Sequence, residues 1–185
     1  FAPGFHASTR HAVGPRKELG IRTAFNLLGP LTNPAVPSAQ VVGVPRPELT
    51  EFLAGCLRRL GVGRAWVVHG SGLDELSLCG PTRVTAFDGG EVRTFTVRPE
   101  DAGLDPCDAP ALQGGDARAN ADIARRVLDG GRGPARDVVL FNAAAALLVA
   151  GRVSDLKAGV AEAGGAVDDG RAGSLLRRVV EASRS

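Results

Sequence analysis

Two apolar periods alternate along the chain, and each change of period marks the edge of an element. The runs SAQVVGV (38–44) and RAWVVHG (64–70) are short and rich in valine, whose stiff χ1 suits a pleated surface, so both read as buried strands. Between them RPELTEFLAGCLRRLG (46–61) has helical spacing, with Pro47 near its start and Gly61 as its stop. Strand, helix, strand over residues 38–70 makes a βαβ unit, which predicts parallel pairing. TRVTAFDGG (82–90) and EVRTFTV (91–97) alternate around Asp88-Gly89-Gly90, the chemistry of a peripheral antiparallel hairpin.

From Gly115 onward the helical period takes over, at 116–130 with Asp116 as N-cap, then 134–151, 154–167 and 168–183. A further helix is predicted over Ala7–Leu19, kinked at Gly14-Pro15. The pattern predicts an α/β fold, a mixed, mainly parallel sheet flanked by helices, in a single domain spanning 1–185.

Composition narrows the function classes. Hydrophobic residues make up 44% and charged ones 23%, ordinary for a globular chain, but aromatics are only 4%, so aliphatic side chains and alanine must fill the core. With 22 basic against 20 acidic residues there is no dominant field, and neither nucleic acid nor a membrane surface is an expected partner. Cys56, Cys79 and Cys107 are odd in number and far apart, which suits reduced thiols better than a disulfide framework or a zinc site. The apolar stretch 138–151 falls short of the about 20 residues that cross a bilayer, and no signal segment leads the chain, so a cytoplasmic location is expected. The chain contains no methionine and opens on Phe1, so it is expected to be part of a longer gene product.

Two stretches carry candidate chemistry. In HGSGLDELSL (69–78) the carboxylates of Asp74 and Glu75 adjoin just past a strand. Neighbours on a regular strand point to opposite faces, so the pair can converge only if the backbone has left the strand, which Gly70 and Gly72 permit. Ligands of open α/β sheets gather at the carboxyl ends of strands, and two hard oxygen donors there suit Mg²⁺. The same dipeptide, by itself, also fits a solvated loop. In RKELGIRTAFNLLGPLTNPA (16–35), Arg16, Lys17 and Arg22 flank an apolar segment that runs into Gly29-Pro30. An arginine fork matches a carboxylate or phosphate, so a small anion is one reading. A helix end with solvated bases, followed by a proline-stiffened loop, is the other.

FAPGFH (1–6), RKELGIRTAFNLLGPLTNPA (16–35), VVHGSGLDELSL (67–78), GGDARANA (114–121) and RDVVLFNAAAALLVAG (136–151) together resemble, in order, the anthranilate phosphoribosyltransferases of tryptophan biosynthesis. The resemblance implies the fold of the nucleoside phosphorylases and class IV phosphoribosyltransferases, incomplete here at the N-terminus, where the family has a helical domain and first strands. It implies that Arg16 holds the anthranilate carboxylate, that Gly29 and Pro30 wall the aromatic ring, and that Asp74 and Glu75 bind the Mg²⁺ ions accompanying phosphoribosyl pyrophosphate (PRPP). No nucleophilic side chain is implied, and His69 is expected to satisfy nearby backbone. The full-length protein is expected to be a homodimer.

The chain departs from that family at HASTR (6–10), where a His-Pro-Ala-Met run followed by a base is usual, so no role passes to His6 or Arg10. The family's Gly-Thr-Gly-Gly-Asp diphosphate loop and Lys-His-Gly-Asn stretch do not occur in the 185 residues. Gly114-Gly115-Asp116 lacks a preceding apolar strand and reads as a helix start instead. The chain alone is therefore expected to be inactive. Two other activities are compatible with this fold: a pyrimidine nucleoside phosphorylase, and a non-catalytic homologue that binds nucleic acid.

Overall fold

The computed structural model describes residues 14, 18–20 and 25–184. Helix α1 (Phe25–Leu31) leads into strand β1 (Ala39–Gly43), helix α2 (Leu49–Arg59) and strand β2 (Arg64–Gly70). β1 and β2 pair in parallel, Val41 opposite Trp66 and Gly43 opposite Val68, as the βαβ reading requires. Strand β3 (Thr82–Asp88) runs antiparallel to β2, and β4 (Arg93–Val97) antiparallel to β3, in the order β1-β2-β3-β4.

The sheet is mixed, as expected, but its balance differs from the mainly parallel one predicted. Among the described residues one pairing is parallel and two are antiparallel. Parallel strands need a crossover of a dozen or more residues, usually a helix. Residues 71–81 carry no helix, so the chain re-enters the sheet beside β2 in the opposite sense.

Side chains alternate along β2 and so feed two cores. Ala65 and Val67 pack with Val42, Val44, Leu53, Ala54, Leu57 and Phe87, under α2. Val68 points the other way, into a cluster with Leu76, Leu78, Val84, Phe141, Ala144 and Leu156, under helices α4 (Pro134–Val149) and α5 (Leu156–Asp168). The alanines of α4 let α5 come close: a Cβ on Gly159 would lie 2.8 Å from both Cα and Cβ of Ala144. Helices α3 (Ala117–Leu128) and α6 (Arg171–Ala182) complete that side.

Three elements were not predicted. Residues 99–102 and 109–112 form single 3₁₀ turns, each with proline in its first two positions. α1 continues through Pro30 where a loop was expected, and ends as Thr32 donates to the Leu28 carbonyl from both its backbone N (3.0 Å) and its hydroxyl (2.9 Å). Of the helix predicted over 7–19, Gly14, Glu18 and Leu19 are helical and the rest lies outside the described residues. Among the described residues no helix is long and apolar enough to cross a membrane.

Candidate metal and substrate site

β2 ends in a tight turn closed from both sides, Gly70 N to Leu73 O at 3.0 Å and Leu73 N to Gly70 O at 2.9 Å. Its central residues both have positive φ, 48° at Ser71 and 89° at Gly72, which matches a primed hairpin turn. Gly72 adopts this freely. Ser71 is held there with its hydroxyl donating to the Pro81 carbonyl at 3.2 Å.

The turn sends Asp74 and Glu75 back across the carboxyl ends of β1 and β2, and two glycines make room. A Cβ on Gly43 would overlap the Asp74 carbonyl oxygen, and one on Gly70 would overlap the Glu75 carbonyl oxygen and lie 2.8 Å from Ser77 N. Gly70 therefore serves close approach, not the backbone freedom expected of it, which Ser71 and Gly72 supply.

Beyond the pair the chain dives inward, with Leu76, Ser77 and Leu78 fully buried. Asn142 of α4 holds this descent, accepting from Leu76 N at 2.9 Å and donating to Leu76 O at 2.9 Å. Ser77 N donates to the Thr82 hydroxyl at 3.1 Å. Sequence reasoning missed Asn142, although a lone amide in the apolar run 138–149 was a visible signal.

The carboxylates themselves are exposed, and among the described residues neither is engaged in an ion pair. Asp74 shares a cavity of about 350 Å³ with Leu27, Pro30, Gly43, Pro45 and Gly72. Glu75 borders a larger apolar hollow of about 610 Å³ with Leu112, Ile123 and Val138. That partial burial pushes the Glu75 carboxyl above its ordinary range, and the adjacent Asp74 charge adds to it. The two carboxylates thus border different hollows; Mg²⁺ takes one or two carboxylates and completes its octahedron with water and phosphate oxygens, so either residue has the donor chemistry for it. No group of three or more metal-binding side chains occurs among the described residues.

His69 is accounted for locally, its Nδ1 donating to the Val44 carbonyl at 2.9 Å. Pro30 faces the Asp74 cavity, whereas its neighbour Gly29 is exposed and does not line it. Arg16, His6 and Arg10 lie outside the described residues. Gly114-Gly115-Asp116 is a helix start, as predicted: Asp116 Oδ1 accepts from Ala119 N at 2.8 Å, and Asn120 Oδ1 accepts from Gly115 N at 2.8 Å.

Residues 1–173 match the family model described as "Glycosyl transferase family, a/b domain". The chain is 55% identical to an anthranilate phosphoribosyltransferase of Moorella thermoacetica, covering 97% of this chain and 53% of that protein. The crystal structure of the Thermus thermophilus anthranilate phosphoribosyltransferase superposes with TM-score 0.87 at 44% identity, over 97% of this chain and 54% of that one. The Saccharomyces cerevisiae enzyme, solved in complex with PRPP and Mg, gives TM-score 0.81 at 30% identity, over 91% and 49%. The chain thus spans about half the length of the relatives it matches.

Proposed function

The chain belongs to the glycosyl transferase family through its a/b domain, and on that premise we propose that it forms the α/β part of an anthranilate phosphoribosyltransferase. Residues 1–185 are one domain of this enzyme, which acts in the cytoplasm as a homodimer. It joins the amine of anthranilate to the anomeric carbon of PRPP, and pyrophosphate leaves.

The observation that carries this reading is the shared cavity of Pro30 and Asp74 at the carboxyl end of β1. A wall for an aromatic ring and a donor for a phosphate-bound cation face one space, as a reaction between an aromatic amine and a diphosphate ester requires. Asp74 and Glu75 hold Mg²⁺ on the PRPP side. Arg16 receives the anthranilate carboxylate in a planar fork, and Pro30 bounds its ring. Mg²⁺, when bound, neutralises charge on the departing diphosphate.

The protein's own contribution is placement. The anthranilate amine is uncharged at neutral pH and needs no general base up to the transition state, so no serine or cysteine nucleophile is called for. Holding the amine in line with the leaving diphosphate supplies the rate. A diphosphate cradle of backbone N–H groups, such as a glycine-rich loop offers, has to come from outside these 185 residues.

The test follows anthranilate fluorescence as it is consumed with PRPP and Mg²⁺ present, comparing the 185 residues alone with a full-length protein containing them. Turnover is expected only from the longer protein. In it, Arg16→Ala should raise the Michaelis constant for anthranilate far more than that for PRPP, by about 1.5–3 kcal/mol of lost binding. Phosphate-dependent cleavage of pyrimidine nucleosides without anthranilate consumption would overturn the assignment.

A further inference from the structure

The loop that carries the acidic pair has little regular structure of its own, yet the residue that follows it is fully buried. Both backbone polar groups of Leu76 would lack partners there, because no strand runs alongside, and unpaired buried backbone groups are rare. Asn142 supplies both partners, 66 positions away in sequence. Its orientation is determined by a third bond: Nδ2 also donates to the Val138 carbonyl at 3.0 Å, an acceptor only, which leaves Oδ1 to receive Leu76 N.

We propose that Asn142 is a positioning residue for the acidic pair, its amide standing in for a neighbouring strand so that the Glu75 carboxylate is presented at a fixed place for a divalent cation. This rests on the metal role assigned to Asp74 and Glu75. The peptide that joins Glu75 to Leu76 is the one Asn142 grips through its N–H. The carbonyl of the same peptide is the oxygen that packs on Gly70. The main chain of Glu75 is thus located from two sides, by the floor of β2 and by the side of α4. Partners outside the ligand set commonly govern cation affinity in this way, by holding the ligands in position before the ion arrives.

A purely structural asparagine would differ in a measurable respect: its loss would lower stability and leave cation affinity as it was. The experiment uses the full-length protein with Mn²⁺ as probe, titrated by electron paramagnetic resonance, alongside amide exchange at Leu76 and thermal unfolding. Asn142→Leu keeps the volume and the helix and removes the grip. Ala146→Gly, on the exposed side of the same helix, weakens α4 without touching Leu76 and serves as the stability control.

Asn142→Leu is expected to raise the Mn²⁺ dissociation constant about tenfold or more and to speed exchange of the Leu76 amide, while Ala146→Gly keeps native affinity. Native Mn²⁺ affinity in Asn142→Leu, or equal weakening in Ala146→Gly, overturns the proposal. If Asn142→Leu does not fold, Asn142→Ala takes its place, and failure of both to fold makes the residue structural and the proposal wrong. Asp74→Asn with Glu75→Gln separates the two levels. Native Mn²⁺ binding there removes the metal site itself, whereas lost binding there with native binding in Asn142→Leu removes only the role of Asn142.

Discussion

Gly43 lies directly beneath the peptide carbonyl of Asp74: a Cβ at position 43 would overlap that oxygen, 2.5 Å from the carbonyl carbon and 3.2 Å from the Cα. The requirement is steric and not conformational, since Gly43 sits in a regular parallel strand. Gly43→Ala should therefore lift the acidic pair off the strand ends, costing about 1–3 kcal/mol by overpacking and weakening Mn²⁺ binding as well. Gly55, in α2 with nothing near its missing Cβ, is the control, where alanine should stabilise by about 0.5–1 kcal/mol. Urea unfolding and a cation titration check both. Unchanged affinity in Gly43→Ala would separate the close approach from the site.

A second prediction concerns pH. Burial, and then the Asp74 charge, raise the Glu75 carboxyl above 4.5. The folded protein therefore holds this proton more tightly than the unfolded chain does. The resulting stability is full below the unfolded value and is lost as pH rises through the folded one. A bound cation favours the ionised form and reverses that loss. Mg²⁺ should raise Tm at neutral pH and cease to do so on acidification, as protons displace it from the carboxylate. Without Mg²⁺, Asp74→Asn removes the smaller cause of the shift and should move the loss of that stability to lower pH. Equal stabilisation by Mg²⁺ across the whole range would count against Glu75 as a ligand.

How far the site could be read from sequence depended on how local each signal was. β1, α2 and β2 were legible because period, Pro47 and Gly61 all lie within the elements they define. The place of Asp74 and Glu75, past the end of β2, followed from the same strand. Gly43 was opaque, because what it accommodates arrives from a later turn and no local pattern announces it. Asn142 was visible as an isolated amide, but only the packing of α4 shows that it grips Leu76. α1 was hidden by Pro30, whose breaking signal is overridden when a helix is only 7 residues long and closes one residue later. The predominance of antiparallel pairing depended on residues 71–81 forming turns instead of a crossover, which their Ser and Gly content suggests only in hindsight.

The helix start at Asp116 supplies a third prediction. Its carboxylate receives Ala119 N at 2.8 Å and so occupies one of the free donors of α3. Asp116→Ala should lower unfolding stability by about 1 kcal/mol and leave cation and PRPP affinity unchanged. A selective loss of PRPP binding, measured by calorimetry on the full-length protein, would instead make Gly114-Gly115-Asp116 part of the diphosphate site.

The fourth prediction rests on Arg136, which is 2% exposed in the first turn of α4, where the helix dipole disfavours a cation. Asp168 closes α5, where the dipole disfavours an anion. Their ends meet: Arg136 NH1 stands 2.8 Å from Asp168 Oδ1, and Arg132 approaches the other oxygen at 3.6 Å. The Arg136 guanidinium beside it is the main reason the Asp168 carboxyl lies below its ordinary 3.8. A depressed carboxyl contributes stability that is present above the unfolded pKa and is lost as pH falls through the folded one. Asp168→Asn should therefore lower stability at pH ~7 and flatten the further loss on acidification below pH ~4. The two halves of the pair should not be equivalent. Asp168 is 44% exposed at its side chain and can return to water, whereas Arg136, at 1%, cannot. Removing the aspartate strands a buried charge; Arg136→Met leaves a hydrated one. Urea unfolding at neutral and acid pH should show Asp168→Asn to be the more destabilising at neutral pH. The opposite order would mean that the Arg136 side chain contributes mainly as packing, and that its charge finds water at the junction of α4 and α5.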